Sequence, residues 1–89
     1  MRYSLKVWHE QAWEDYLHWQ DESRTMLRRI NRLIRDIERS PFEGLGKPEP
    51  LKGDLSGWWS RRIDDANRVV YRVVRGELEL LQCGGHYRD

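Results

Sequence analysis

The chain has 89 residues, 38% hydrophobic and 35% charged, with a formal net charge of +1 and a mean hydropathy of -0.92. That is enough for one domain, residues 1–89, with a modest core in which five Trp and four Tyr supply large buried areas. There is no apolar run near the ~20 residues that span a bilayer, no apolar leader, and no partner for the single Cys83. Membrane insertion, secretion and an internal disulfide are therefore not expected, and a reducing cytoplasm is.

Arg2 to Trp8 alternates, with Tyr3, Leu5 and Val7 on one side, and predicts a first strand. From His9 to about Asp21 the period turns helical, with Trp13, Tyr16, Leu17 and Gln20 on one face and Ala12 and Trp19 flanking it. Asp21-Glu22-Ser23 is a break with N-cap chemistry. A second helix follows over Arg24 to Arg39, with an apolar stripe of Met26, Leu27, Ile30, Leu33, Ile34 and Ile37. Arg24, Arg28, Arg32, Arg35 and Arg39 line another face, and Ser40-Pro41 ends the helix. The two helices predict an antiparallel hairpin.

Residues 41–57 hold all three prolines and four of the seven glycines, and predict an ordered loop anchored by Phe42, Leu45, Leu51 and Leu55. Strands return at Trp58–Ile63, Arg68–Arg75 and Glu77–Cys83, with a tight turn at Arg75-Gly76. The expected fold class is α+β in the order β-α-α-β-β-β: an antiparallel sheet with two helices on one face and the other face free.

Charge is unevenly spread. Residues 1–22 carry two basic and five acidic side chains, whereas residues 23–75 carry thirteen basic and seven acidic, a local net of +6. A polyanion would meet the second region, and a solvated helix face is the plainer alternative.

Three places carry chemistry. Glu49 stands between Pro48 and Pro50, which fix its backbone. It is either a surface carboxylate of a rigid loop or a general base with a fixed direction. Arg61, Arg62 and Arg68 lie on strands that pair or nearly pair, and alternation turns Arg62 away from the face that Ile63 covers. They are surface ion-pair partners of Asp64, Asp65 or Glu79, or forks for a phosphate whose charge grows in a transition state. His86 near the end is a proton donor suited to neutral pH or part of a terminal tail, and Tyr87 beside it is a candidate for stacking on a base.

Together these residues can cleave RNA with the substrate's own 2′-hydroxyl as nucleophile. Glu49 takes its proton, Arg68 and Arg62 hold the charged phosphate, Lys52 anchors a neighbouring phosphate and His86 protonates the leaving 5′-oxygen. No metal or cofactor is expected: Cys83-x-x-His86 has ligand spacing but no second pair. Phosphate-loop, dinucleotide and Ser-elbow motifs are absent from the sequence.

Several stretches occur in order along nearly the whole chain: Trp13-Glu14-Asp15-Tyr16, Pro41-Phe42-Glu43-Gly44, Gly46 through Lys52, Leu55-Ser56-Gly57, Trp59 through Ile63, Asn67 through Tyr71 and His86-Tyr87. In them the chain resembles the YoeB toxins of the RelE superfamily, found in bacterial toxin–antitoxin pairs. The resemblance implies an mRNA interferase acting in the ribosomal A site and leaving a 2′,3′-cyclic phosphate. It implies Glu49 as general base, His86 as general acid and Arg68 as stabiliser of the phosphate. It implies RNA-backbone contacts by Lys52 and Arg62 and a base contact by Tyr87. A YefM-like antitoxin is the implied partner, with operator DNA bound only through their complex, and a homodimer is a further implied assembly. Asn67 stands where some relatives have His, and Arg88-Asp89 follow the pair with which such chains commonly end. Two other classes compete: a catalytically silent RNA- or ribosome-binding module, and a DNA-binding regulator or co-repressor using the Arg-rich helix.

Overall fold

The computed structural model describes residues 5–85. The expected acid His86, the expected base contact Tyr87 and the Arg2–Ser4 start of the first strand lie outside those residues. The elements are β1 (Leu5–Trp8), α1 (Glu10–Glu22), α2 (Arg24–Arg39), β2 (Glu49–Pro50), a single 3-10 turn at Gly53–Leu55, β3 (Trp59–Arg62), β4 (Arg68–Val74) and β5 (Glu77–Cys83).

The second helix keeps its expected bounds because both ends have local causes. The Met26 N–H donates to the Ser23 hydroxyl at 3.2 Å, which caps the start. Proline at 41 disfavours helix at Ser40, which closes the end. Its stripe is buried at Met26, Ile30, Leu33, Ile34 and Ile37, and each such side chain contributes roughly 1.5–3 kcal/mol on leaving water.

The first helix packs differently from its expected face. Trp13 and Leu17 are 44% and 41% exposed, while Ala12 is fully buried and Tyr16 and Trp19 pack beside the core. Small Ala12 lets the helix backbone approach β5 closely, and the Cys83 thiol donates to the Ala12 carbonyl across that contact. Trp13 instead lies parallel to Tyr16, with centroids 6.0 Å apart.

The sheet order is β1-β5-β4-β3-β2. It is mixed where an antiparallel sheet was expected, because β1 runs parallel to β5, with Leu5 opposite Glu77. The helical pair provides the long crossover that a parallel pairing needs. Pairs β2–β3, β3–β4 and β4–β5 are antiparallel. Glu49 and Pro50, expected within a loop, form the edge strand β2 against β3.

Both helices cover the inner face of the sheet, where α1 and α2 side chains meet Ile63, Val69, Tyr71, Leu78, Leu80 and Cys83. The outer face is not bare: Leu51, Trp58 and Val70 form a second small core there, flanked by Leu55 and Leu81. Among the described residues, no helix is long and apolar enough to cross a membrane.

Candidate functional site

Strand β3 divides its residues between the two faces. Trp59, Arg61 and Ile63 turn inward, while Trp58, Ser60 and Arg62 turn outward with Val70. Arg61 goes to the interior and is completely buried. Its Nε donates to the Tyr71 hydroxyl at 3.1 Å. One terminal nitrogen donates to the Asp36 carboxylate at 2.6 Å and to the Leu45 carbonyl at 3.1 Å. The other donates to the carbonyls of Ser40 and Glu43. All five guanidinium N–H groups are thereby used. The Tyr71 hydroxyl in turn donates to the Pro41 carbonyl at 2.6 Å.

Asp36 is the counter-charge of this knot. The Leu45 N–H is the largest influence on its carboxyl, and the hydrogen bonds from Arg39 and Arg61 add to it. Together they outweigh burial and bring the pKa down from 3.8 to about 2. The knot ties the end of α2 and the loop at 40–45 to β3 and β4. It requires glycine nearby: a Cβ on Gly44, at φ +124, would lie 2.2 Å from Asp36 Oδ2. Arg61 was grouped with Arg62 and Arg68 as a phosphate fork or a partner of Asp64, Asp65 or Glu79. The structure removes it from that group, because Asp36, the Tyr71 hydroxyl and the loop carbonyls take every donor.

On the outer face the arrangement is open. Glu49 lies directly opposite Ser60 on the adjoining strand, and the pairing register turns both to the side away from the helices, Glu49 exposed and Ser60 buried. Two residues further along β3, Arg62 lies directly opposite Arg68 of β4. Like charges facing each other across a ladder destabilise it. Among the described residues neither guanidinium has a hydrogen-bond or ion-pair partner, so the pair is a concentration of positive charge on this face. Lys52 is exposed just beyond Leu51, whose N–H donates to the Trp58 carbonyl at 2.9 Å. Thus β2, β3 and β4 bring Glu49, Arg62 and Arg68 to one face, with Lys52 on the segment that follows β2.

Several residues that support this face went unnoticed in the sequence. Trp58, under the Lys52 segment, is stacked by Arg72, whose guanidinium carbon is 4.4 Å from the ring centroid. Arg72 is held by Glu79, which His9 also engages at 3.0 Å. The His9 hydrogen bond, with help from Arg72, keeps the Glu79 carboxyl below its usual range against the effect of burial. The Ser60 hydroxyl, opposite Glu49, is buried with no hydrogen-bond partner among the described residues. The outward triplet Trp58, Ser60, Arg62 was the available signal for it.

The chain approaching His86 is pinned to this face. The Arg68 N–H donates to the Gly85 carbonyl at 3.0 Å. The Gly85 N–H donates to Asn67 Oδ1 at 2.7 Å, and the Gln82 amide donates to the Gly84 carbonyl. From the helix side, Asp15 accepts the Cys83 N–H and Trp19 donates to the Cys83 carbonyl. Asn67 therefore has a clear task as a clasp between the β3–β4 turn and the chain end. Asp64 completes the turn: burial opposes its charge, but the N–H groups of Ala66 and Asn67 and the Asn67 amide outweigh it and lower its pKa.

Set against known proteins, the family model for the YoeB-like toxin of bacterial type II toxin–antitoxin systems matches residues 8–87. The toxin YoeB of Streptomyces coelicolor is 60% identical over 76 residues, covering 85% of this chain and 90% of its own. Among solved structures, the YoeB/ParE toxin from Agrobacterium tumefaciens superposes with a TM-score of 0.88 at 51% identity, covering 92% of this chain and 98% of that one. YoeB from Staphylococcus aureus, solved as a dimer and in complex with YefM, gives TM-scores of 0.88 and 0.86 at 39% identity, covering 98% of this chain and 100% of its own.

Proposed function

The chain belongs to the YoeB-like toxins of bacterial type II toxin–antitoxin systems, and we propose that it kills or arrests its host by cleaving mRNA in the ribosomal A site. The observation that carries this reading is the outer face itself: Glu49, Arg62 and Arg68 on three adjoining strands, with the backbone leading to His86 bonded to Arg68.

In the proposed reaction Glu49 removes the proton of a ribose 2′-hydroxyl. The oxygen forms a bond to its own phosphorus, and the bond from phosphorus to the 5′-oxygen breaks in line. Arg68, with Arg62 across the ladder, takes up the charge of the five-coordinate phosphorane in a fixed geometry that needs no rearrangement. His86 gives a proton to the departing 5′-oxygen, leaving a 2′,3′-cyclic phosphate. Lys52 holds a neighbouring phosphate and Tyr87 packs on a base. The substrate supplies the nucleophile, so RNA is cleaved and DNA, which lacks the 2′-hydroxyl, is not.

The Staphylococcus aureus relative has been solved with YefM and as a dimer. By that likeness the partner of this chain is a YefM-like antitoxin, with a homodimer as its free assembly and operator DNA reached through the antitoxin. The site of action is the cytoplasm, where the ribosomes are.

Primer extension on mRNA in translating bacterial ribosomes tests the reading. Wild type should create new 3′ ends in the A-site codon, and Glu49→Ala and His86→Ala should each abolish them while still binding ribosomes. Ends that persist in Glu49→Ala would rule out its role as base. Ribosome binding without any new ends from wild type would leave a silent binding module.

A further inference from the structure

Around the sheet rim from Arg62 lies a cavity of about 160 Å3 lined by Arg29, Arg32, Leu33, Leu45, Arg62 and Ile63. Three of its six lining residues are arginines and none is acidic. Arg29 and Arg32 lie three apart on α2 and so share a helix face. The Arg29 guanidinium reaches toward the Ile63 carbonyl, at 3.5 Å. Of the carboxylates in this part of the fold, Asp64 feels the Arg29 charge, which helps to lower its pKa. Asp36 is held by Arg61, Arg39 and the Leu45 N–H, and one oxygen of Asp64 accepts from Ala66 and from Asn67. Leu33 and Ile63, 5% and 7% exposed, form an apolar floor. Charge interactions above such a floor are less screened than in open water.

We propose that Arg29 and Arg32, at the cavity that Arg62 also lines, form a second phosphodiester-binding site, which takes an RNA backbone phosphate other than the one being cleaved. This rests on the proposed reading of the outer face as an RNA site. Guanidinium forks bind oxyanions with paired donors, and three arginines line this cavity against the one carboxylate, Asp64, that the Arg29 charge reaches. Arg62 links the cavity to Arg68, so positive charges succeed one another from the outer face around the rim to α2. A succession of that kind fits a polyanion with evenly repeated charges. An acidic peptide, with side chains at irregular intervals, fits it less well. The phosphate comes from mRNA or from ribosomal RNA, and the chemistry is the same for both.

The test compares Arg29→Gln/Arg32→Gln with Arg24→Gln/Arg28→Gln. The second pair removes the same two charges from the same helix, where Arg24 and Arg28 line a separate hollow with Gln20, Asp21 and Leu27. Binding is measured on ribosomes carrying mRNA with 2′-O-methyl groups in the A-site codon and on ribosomes without mRNA, over a range of salt. The cavity variant should bind roughly tenfold more weakly and lose about one phosphate's worth of salt dependence, ~0.7–0.9 in the log–log slope. The control variant should lose much less. Loss only on programmed ribosomes assigns the phosphate to mRNA, and loss on both assigns it to ribosomal RNA. Equal loss in both variants, or none, overturns the proposal while leaving the nuclease reading intact. Antitoxin binding lost with ribosome binding unchanged also overturns it, in favour of an acidic peptide. Absence of ribosome binding by wild type would sink both readings.

Discussion

On β3, Arg61 points to the helix side of the sheet with every donor engaged, while Arg62, one residue on, points to the outer side with no partner for its guanidinium among the described residues. The residues are chemically identical and differ by one step of the pleat. Arg61 meets Asp36 and a ring of loop carbonyls, so its charge is spent on tying four segments together. Arg62 meets another arginine, so its charge ties no described segments together. The contrast shows that a basic cluster read from sequence is a mixture of construction and chemistry, sorted by the face each residue occupies.

The contrast can be broken most forcefully at Arg61. Arg61→Met would leave Asp36 as a buried carboxylate beside empty donors' places, and a loss of about 3–5 kcal/mol is expected in urea unfolding. An unchanged urea midpoint would mean that the knot does not hold the loop. At Arg62 the outcome should invert. Arg62→Gln should leave the unfolding free energy within about 0.5 kcal/mol, while A-site cleavage falls about a hundredfold, as for the loss of one donor to a transition-state oxyanion. A drop of stability at Arg62 comparable to that at Arg61 would erase the distinction between the faces. The smallest effect is a titration. The Asp36 carboxyl falls from 3.8 to about 2 on folding, so its contribution is fully present above the unfolded value and is lost as pH falls through the folded one. Unfolding free energy measured from pH 5 down to pH 2 should decline more steeply for wild type than for Asp36→Asn. Parallel curves would mean that the knot does not depend on the charge of Asp36.

How much of this was legible follows the range of the forces involved. The bounds of α2 were readable because a cap at Ser23 and a proline at 41 act locally. The tilt of Arg62 away from Ile63 was readable because alternation is a property of the strand. The buried face of α1 was not, because periodicity ranked Trp13 and Leu17 by hydrophobicity, whereas close approach to β5 selected small Ala12. The edge strand at Glu49–Pro50 was hidden, since two residues between prolines carry no period. The parallel pairing of β1 with β5 and the Arg61–Asp36 knot join parts far apart in sequence, and nothing local announces either. Of the candidate site, the chain itself pointed to Glu49, Lys52, Arg62 and Arg68; the residues that hold them in place, such as Trp58, Asn67 and Arg72, became visible only in three dimensions.

The strand order has a consequence for how the molecule comes to be folded. β5, the last described strand in the chain, is an interior strand, and it pairs on one side with β1, the first described, and on the other with β4. The helices and the β3–β4–β5 meander involve neighbours and can form early, but β1 stays apart from the sheet until it pairs with β5. Closing so long a loop comes late and sets the pace, as contacts between distant parts of a chain do. Assembly is therefore close to all-or-none, and a chain released before β5 has neither a completed sheet nor an anchored end beside Arg68.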